Sequence, residues 1–363
     1  MTHDSLLEGI GMSQIVPVVI GLSKAGWHVG VISCEKSPET IPLQKVLTDE
    51  GIRWEILKFG KVGAIGGLGR LIRIYLKLPN ARAHHCRGDL AATACALRLR
   101  SNILWDVRGL WIDQKLVIGS INKNLVIVWL ARKLEWVASI SASSVTTLTK
   151  AVYPVLKKRN HRVSNFHQVI PTCTDLKKFA FKDKMPVERS LLLSGVFNDY
   201  YDLPKTKSFI SELKKVTPIM VTWCHGHESK RTTLGVGEDV IKILRQDEMP
   251  TEVSKASFGL AICKTNIGDS LAGVMPTKIA EFLAVGRPVL VSEGIGDLEE
   301  LLLTTKTGVI LRESNSIAIS ELIQLLDDPG TPQRCRALAE SHFSMEIAIQ
   351  KYDKIFRTLL KKF

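Results

Sequence analysis

Short apolar runs alternate with amphipathic helical segments along most of this 363-residue chain. The apolar runs, bounded by turn-forming residues, predict strands at residues 28–33, 53–58, 83–86, 102–107, 190–194, 218–222, 258–263 and 307–311. Apolar positions three and four residues apart predict helices at residues 14–25, 42–50, 61–78, 90–99, 120–137, 276–286, 297–303, 316–326 and 345–362. Such alternation is typical of parallel sheets covered by helices, so we predict an α/β fold.

The length of the chain predicts two domains, because one hydrophobic core rarely serves more than 250 to 300 residues. We place a first Rossmann-like domain at residues 1–167 and a second at residues 168–344. The last helix, within residues 345–363, is long enough to cross back over the first domain. Both domains are expected to be doubly wound.

A glycine loop precedes the first predicted helix. Gly9 and Gly11 lie in this loop, and Ser13 is predicted to cap the helix at residues 14–25, which Gly26 closes. The arrangement is typical of the first turn of a Rossmann-like domain, except that the strand expected before the loop is apparently missing. The two glycines are expected to allow close approach of the backbone to a ligand.

Composition excludes several classes of protein. Hydrophobic residues make up 45% and charged residues 23% of the chain, which excludes a disordered protein. No apolar run is long enough to span a membrane and no signal segment begins the chain, so we expect a cytoplasmic protein. The seven cysteines are scattered without a C-x-x-C pair, which argues against disulfides or a zinc ribbon. Residues 224–227, Cys-His-Gly-His, are packed too closely for one tetrahedral ion, so we predict neither a metal nor a cofactor.

Positive charge is concentrated in the first half. Residues 1–165 hold 23 Lys and Arg against 11 Asp and Glu, whereas residues 166–363 hold 26 against 25. A basic half can bind nucleic acid, an anionic membrane or an anionic substrate, but no nucleic-acid-binding motif is found. The helix at 61–78 fits a membrane-surface helix and an ordinary solvated helix equally well. The segment 120–137 is expected to be a packed helix, with membrane contact as the lesser alternative.

One predicted helix carries the strongest binding pattern. Pro276 fits its first position, and Gly286 fits the left-handed residue that follows its end. Lys278 lies among the first free amides, and Glu281 lies one turn later. These amides and the ammonium favour a phosphate, while an ionised carboxylate accepts hydrogen bonds from ribose hydroxyls. The pattern predicts a site for a nucleoside diphosphate, although Pro and Gly also bracket many short helices that bind nothing.

Polar side chains end two predicted strands of the first half. His85 and Arg87 end one strand, and Asp106, Arg108 and Trp111 follow the next. Because ligand groups collect at the carboxyl ends of parallel strands, these residues could position a polar acceptor and handle its proton. A buried Asp106 paired with Arg108 would also serve as a structural lock, and the sequence leaves both possibilities open.

Four motifs, in the expected order, resemble those of glycosyltransferases with the GT-B fold, of the family 4 type. They are the segment after the glycine loop at 22–29, the segment 106–111, the link at 169–175, and the helix and strand at 276–289. The segment 106–111 resembles one found in a branch of the family from bacterial surface-polysaccharide gene clusters. The resemblance covers nearly the whole chain. It implies two Rossmann-like domains that face a cleft, the first binding the acceptor and the second a nucleotide sugar.

The resemblance also implies an activity: a sugar would pass from a nucleoside-diphosphate sugar to a hydroxyl of a saccharide or lipid-linked acceptor, with retention and without an obligate metal. The protein would work in the cytoplasm, with a possible contact to an anionic membrane through the basic first domain and none to nucleic acid. The implied catalytic residues are Lys278, Asp106 and Arg108. The implied donor-binding residues are Gly9, Gly11, Gly195, Asn198, Pro276, Thr277, Lys278 and Glu281, and the implied acceptor-binding residues are His85, Arg87, Asp106, Arg108 and Trp111.

Two departures from the family pattern leave alternatives open. Many members have a carboxylate where this chain has Gly273, and an Arg and Lys pair in the turn that here spans residues 195–202. A nucleotide-sugar epimerase of the same fold would use the same phosphate site, but needs carboxylates placed for proton transfer. A non-catalytic partner that keeps the fold is the other alternative.

Overall fold

The computed structural model describes residues 1–119, 125–159, 167–195, 197–225 and 239–361. They form two compact units: unit 1 is Met1–Pro171 with Met345–Phe363, and unit 2 is Thr172–Ser344. The predicted domain boundary after residue 167 lies four residues before this division. The terminal helix belongs to unit 1, which confirms the prediction that it returns to the first domain.

Strands and helices alternate through both units, as predicted. The strands are β1 Gly30–Glu35, β2 Arg53–Lys58, β3 His84–Arg87, β4 Ile103–Val107, β5 Ser144–Thr147, β6 His167–Val169, β7 Ser190–Ser194, β8 Met220–His225, β9 Val240–Ile243, β10 Phe258–Ala261, β11 Val289–Ser292 and β12 Gly308–Leu311. The helices are α1 Val16–Lys24, α2 Ile41–Asp49, α3 Gly63–Lys77, α4 Asp89–Leu97, α5 Trp111–Val117, α6 Leu125–Ser141, α7 Val152–Lys158, α8 Leu203–Val216, α9 Met249–Lys255, α10 Thr277–Ala284, α11 Leu298–Thr305, α12 Asn315–Asp327, α13 Thr331–His342 and α14 Met345–Leu360.

The sheet of unit 1 contains two parallel blocks, β2-β1 and β3-β4-β5-β6. The first residues of the chain join them. Thr2 donates its amide to Ile32 of β1 at 3.0 Å, and Arg87 of β3 donates to Met1 at 2.9 Å, with a parallel bridge between Thr2 and Arg87. Residues 1–4 therefore lie at the position expected for the first strand, which the sequence pattern indicated as apparently missing.

The first helix of unit 1 does not begin as predicted. Residues Gly11–Ile15 form a π turn that leads into α1, and Ser13 lies inside that turn. Its hydroxyl donates to the Gly9 carbonyl at 2.6 Å, so the prediction that Ser13 caps the helix was wrong. Gly26 has φ +92°, in agreement with its predicted place after the helix end.

Helix α14 packs on α1 within unit 1. A side chain at Gly21 would place its Cβ 2.2 Å from the Ile349 side chain, so the two helices approach closely only because this residue is glycine. The indole N–H of Trp27 donates to the Asp353 carboxylate at 2.8 Å, which fixes the same contact. The terminal helix is thus an integral part of the first domain.

The six strands that the structure describes in unit 2 form one parallel sheet in the order β12-β11-β10-β7-β8-β9. Its core consists of the buried side chains of the central strands and of the helices on them, including Trp223, Phe258 and Phe209. β9 and α13 were not predicted. The carboxyl ends of β7 and β10 and the start of α10 meet at one edge, where open parallel sheets bind ligands.

Candidate functional site

The start of α10 offers free amides, as predicted. Pro276 is the residue before the helix and has an extended conformation, with φ −65° and ψ 127°, and no side chain of the described residues caps the helix. The hydroxyl of Thr172 donates to the Met275 carbonyl at 2.8 Å, which holds the approach to the helix. Thr277 and Lys278 therefore place free backbone N–H groups at the positive end of the helix dipole.

Lys278 is 9% exposed and lies in the first turn of α10. Its Nζ lies 4.6 Å from the centre of the Tyr201 ring, and 3.5 Å from the position that a Cβ would occupy at Gly195. Within the described part of the chain, the ammonium has no hydrogen bond or salt bridge. Burial lowers the pKa of Lys278 to about 8, against smaller opposing effects of Cys263 and Glu281. A buried cation without an anionic partner is suited to an anionic ligand.

Glu281 lies one turn after Lys278 and is partly exposed. Its carboxylate also makes no hydrogen bond or salt bridge to any residue that the structure describes. Burial raises the pKa of Glu281 to about 7, and the charge of Lys278 opposes this rise. Because two titratable groups with shifted pKa values and unused hydrogen-bonding capacity share one helix turn, this edge of unit 2 is the best candidate site.

Gly195 and Asn198 shape the turn after β7. Gly195 has φ +123°, a conformation that favours glycine, and a side chain there would approach the Lys278 ammonium. Asn198 accepts hydrogen bonds from the amides of Tyr200 and Tyr201, at 3.1 and 3.0 Å, so its observed bonds stabilise the turn. The turn places the Tyr201 ring beside the Lys278 ammonium. The sequence pattern did not identify Tyr201, because nothing local marks an aromatic ring that packs on a residue so distant in sequence.

Gly11 and Gly9 differ in their surroundings. A Cβ at Gly11 would lie 2.2 Å from the Ser5 carbonyl oxygen, so glycine is needed there for packing within the loop. Gly9 is exposed and has nothing within 4 Å of an added Cβ, which leaves its backbone accessible. The carboxylate of Glu35 anchors the loop by accepting from the Ser5 hydroxyl and from the Leu6 amide, the latter at 2.8 Å. The sequence pattern did not single out Glu35.

Asp106 is fully buried at the centre of a polar network in unit 1. It accepts hydrogen bonds from the hydroxyls of Thr146 and Tyr352, at 2.9 and 3.0 Å, and its Oδ2 lies 3.1 Å from Nε2 of His85. Burial alone would raise the pKa of Asp106, but Arg108 and then His85 hold it well below its usual range. An ionised, satisfied and inaccessible carboxylate fits the structural lock, the second of the two possibilities that the sequence left open.

The neighbours of Asp106 link it to α14 and to the strand ends. Arg108 lies 3.6 Å from Asp106 and donates to the Ile170 carbonyl at 2.9 Å, and Arg87 lies 3.8 Å from Asp106. His85 packs on the Tyr352 ring at 4.7 Å, and burial lowers its pKa despite the hydrogen bond to Asp106. The structure thus brings four of the five predicted acceptor residues into one network, and the fifth, Trp111, contacts His3 instead.

The prediction about a metal concerned residues 224–227, of which residues 226 and 227 lie outside the described residues. Within the described ranges, no group of three or more His, Cys, Asp and Glu side chains is placed to hold a metal ion. Gly273, at the position of the carboxylate found in many GT-B enzymes, ends a 3-10 turn at Gly268–Gly273 and is buried.

Comparison with known proteins finds similarity in structure and not in sequence. No protein-family model matches the chain, and no curated protein matches it significantly. Sucrose-phosphate synthase from Thermosynechococcus elongatus superimposes with a TM-score of 0.72 at 15% identity, over 100% of this chain and 96% of that chain. HepE from Anabaena, solved in complex with UDP, has a TM-score of 0.68 at 12% identity, over 98% of each chain.

A third similar structure is WaaG, a glycosyltransferase involved in lipopolysaccharide biosynthesis, with a TM-score of 0.66 at 11% identity, over 98% of this chain and 97% of that chain. These proteins have the GT-B fold, with two Rossmann-like domains. The similarity covers nearly the full length of all three. The chain therefore has the GT-B fold, which confirms the fold predicted from its motifs.

Proposed function

We propose that this protein is a glycosyltransferase that moves a sugar from a nucleoside-diphosphate sugar to an acceptor hydroxyl. The observation that carries the proposal is the start of α10, where a buried ammonium without an anionic partner lies beside free helix amides and one turn before an unpaired carboxylate, among the described residues. HepE has been solved in complex with UDP, with UDP and glucose, and with UDP-glucose, which supports a nucleotide sugar as the donor.

Each residue of this site has a separate role in the proposed reaction. The amides of Thr277 and Lys278 and the Lys278 ammonium bind the diphosphate, and they stabilise the negative charge that develops as it leaves the sugar. Glu281, when ionised, accepts hydrogen bonds from the ribose hydroxyls. Gly195 leaves room beside the Lys278 ammonium. Transfer of a hexose with retention and without a metal is the finer form of the proposal, and it rests on the family resemblance.

Replacement of Glu281 by Gln should weaken the binding of UDP-glucose by roughly tenfold, because charge-assisted hydrogen bonds to ribose contribute about 1.5 to 3 kcal/mol. Since the pKa of Glu281 is raised to about 7, the carboxylate is protonated below this pH. Affinity of the unmodified protein should therefore increase between pH 6 and pH 7.5, whereas that of the variant should not. Calorimetric titration measures both effects.

The matched control is Glu300→Gln, an exposed carboxylate on α11, which should bind UDP-glucose like the unmodified protein. UDP-glucose is the appropriate probe because its diphosphate does not titrate in this range, unlike the terminal phosphate of UDP. Undiminished binding of UDP-glucose, UDP and GDP by the Glu281 variant would contradict the ribose assignment.

We also propose that unit 1 contacts an anionic membrane surface, which would place the enzyme at the cytoplasmic face. Within the described residues, no helix is both long and apolar enough to cross a membrane. Helix α6 nevertheless exposes large apolar side chains at helical spacing, and Nζ of Lys133 lies 5.4 and 5.5 Å from two of its Trp rings. The exposed large apolar residues of α6 are Leu125, Val126, Trp129, Leu130, Trp136 and Ile140.

Helix α3 supports the same proposal. It exposes Ile65, Leu68, Ile72 and Leu76, and both α3 and α6 pack against α4. The prediction of a packed helix at residues 120–137 holds only for one face of α6, where Ala131 and Ala138 are buried. Exposed aromatic and aliphatic side chains beside lysine suit the lipid headgroup region, and the surplus of twelve positive charges in residues 1–165 attracts anionic lipid.

Replacement of Trp129 and Trp136 by Gln should lower partition onto vesicles of phosphatidylglycerol and phosphatidylcholine by about tenfold, because interfacial burial of two indole rings is lost. Sedimentation with the vesicles measures this effect. Val187→Gln, a fully exposed position in unit 2, is the matched control and should sediment like the unmodified protein. Equal binding to vesicles of phosphatidylcholine alone, or by the double variant, would contradict the proposal.

A further inference from the structure

A second polar cluster lies at the carboxyl edge of the unit 1 sheet. We call it the His3 cluster, and it consists of His3, Asp4, Arg70, Arg87, Trp111 and Lys115. Its residues come from different elements: the first residues of the chain, helix α3 after β2, the end of β3, and helix α5 after β4. Ligands of open parallel sheets bind at this edge.

Short contacts connect the members of the cluster. The His3 ring lies 5.9 Å from Trp111 in an edge-to-face arrangement, and its Nε2 lies 3.5 Å from Asp4. The Asp4 carboxylate also lies 3.8 Å from Nε of Arg87. Burial lowers the pKa of His3, Asp4 opposes this, and the nearby charges of Arg70 and Lys115 lower it further. The imidazole is therefore neutral at pH 7, beside three cations and one carboxylate.

Several polar atoms of the cluster are buried without a hydrogen-bond partner in the described part of the chain. They are Nδ1 of His3, Nε of Arg70, Nε of Arg87 and Nε1 of Trp111. His3 and Arg87 are each 9% exposed and Arg70 is 5% exposed. Three of them, on Arg70, Arg87 and Trp111, are N–H donors, whereas Nδ1 of His3 is an acceptor when Nε2 carries the proton that faces Asp4. A buried donor without a partner costs about 1 to 3 kcal/mol, so three such donors in one cluster indicate a ligand that supplies acceptors.

The charge of the cluster defines what that ligand must be. Arg70 donates to the carbonyls of Phe59 and Lys61, at 3.3 and 3.0 Å, and stacks on the Phe59 ring, but no carboxylate of the described residues pairs with it. Within the cluster, Asp4 is the one carboxylate beside the cations Arg70, Arg87 and Lys115, and Asp106 lies 3.8 Å from Arg87 on its other side. Guanidinium and ammonium groups bind carboxylate and phosphate oxygens strongly when water is excluded.

We infer that the His3 cluster binds an anionic oxygen group, a carboxylate or a phosphate, on the sugar acceptor. The inference rests on the proposed function, because it identifies the cluster as the place where unit 1 selects its acceptor. It goes beyond the predicted acceptor residues, of which Arg87 and Trp111 belong to the cluster, by adding His3, Asp4, Arg70 and Lys115 and by defining the charge of the acceptor.

The test is saturation-transfer NMR with three sugars: methyl β-D-glucuronide, glucose 1-phosphate and methyl β-D-glucoside. We expect binding of at least one anionic sugar and about tenfold weaker binding, or none, of the neutral one. Binding of the glucuronide alone, or of the phosphate alone, identifies which anion the cluster takes. Equal binding of the neutral and anionic sugars would overturn the inference.

Two conservative variants locate the site. Lys115→Gln removes one charge and Trp111→Phe removes only the indole N–H, so each should weaken binding of the anionic sugar, by about tenfold and threefold respectively, without changing UDP-glucose affinity. Lys45→Gln, an exposed lysine of α2, is the control with the same change in charge. Unchanged anionic-sugar binding by Lys115→Gln would contradict the site. Failure of the unmodified protein to bind UDP-glucose would contradict the donor proposal, whereas the anionic-sugar measurements test the His3 cluster separately.

Discussion

Replacement of Lys278 by Met should lower the rate of sugar transfer by about 100- to 1000-fold, because the variant loses the cation that stabilises the departing diphosphate. Met has nearly the length of the lysine stem, so the packing against Tyr201 is largely kept. Ground-state binding of UDP-glucose should weaken much less than the rate, since the helix amides remain. Release of UDP in the presence of an acceptor, with product masses, measures the rate.

The pH dependence of the unmodified enzyme should identify the same residue. Burial lowers the pKa of Lys278 to about 8, so the ammonium is present below this pH and is lost as the pH rises through it. The value of kcat/KM, which reports groups of the free enzyme, should therefore fall by about tenfold per pH unit above pH 8. The Met variant has no ammonium to lose, and its profile should lack this alkaline decline.

The control for the Lys278 variant is Lys215→Met, an exposed lysine of α8, which should retain full activity and the alkaline decline. A rate within threefold of the unmodified enzyme for the Lys278 variant would exclude the proposed electrostatic role. Conversion of UDP-glucose to another nucleotide sugar without any acceptor would instead indicate the epimerase alternative, so product masses are recorded with and without acceptor.

Local signals in the sequence were sufficient to place the candidate donor site. The free amides that follow Pro276, the left-handed Gly286 and the strand after it are determined by residues adjacent in the chain. Two strands, Arg53–Lys58 and Ser190–Ser194, have the predicted bounds because turn-forming residues flank their apolar runs. Element type and most of the order could therefore be predicted from the hydrophobic pattern, and the GT-B fold from the resemblance of the motifs.

Contacts between distant parts of the chain could not be predicted in the same way. The pairing of residues 1–4 with β1 and β3 depends on backbone hydrogen bonds that any sequence could make. Tyr352 reaches Asp106 across 246 positions of the chain, and Glu35 anchors a loop 29 positions away. Helix α13 was missed because few of its residues are apolar, and it is recognised only by the burial of Cys335 and Leu338.

The role of Asp106 depends on such long-range contacts. The sequence indicated an acceptor role, beside the structural one, because Asp106 lies near the carboxyl end of a strand. The structure places its carboxylate where no solvent reaches it and surrounds it with two hydroxyls, one imidazole and two guanidinium groups. A group with no exposed atom cannot contact an acceptor without rearrangement of α14. Its stabilising role and its proposed acceptor role therefore lead to different expected results.

Replacement of Asp106 by Asn should destabilise unit 1 by about 3 to 5 kcal/mol, because Arg87 and Arg108 lose the buried anion between them. The single amide oxygen also cannot accept both from Thr146, on Oδ1, and from His85 and Tyr352, on Oδ2. The folded-state pKa of Asp106 lies below its unfolded value of about 3.9, so its stabilisation is present above this pH and is lost on acidification. The variant should therefore lose less stability than the unmodified protein as the pH falls.

Hydrogen exchange measured by peptide can assign this loss to one unit. Protection should fall in peptides that contain β4, Ile103–Val107, and remain unchanged in those that contain β10, Phe258–Ala261, because the network of Asp106 lies within unit 1. Asp49→Asn, an exposed carboxylate at the end of α2, is the control and should leave both unchanged. Full protection of β4 in the Asp106 variant, together with loss of sugar transfer, would contradict the structural lock. It would favour an acceptor role, since a carboxylate that contributes no stability must act on the reaction itself.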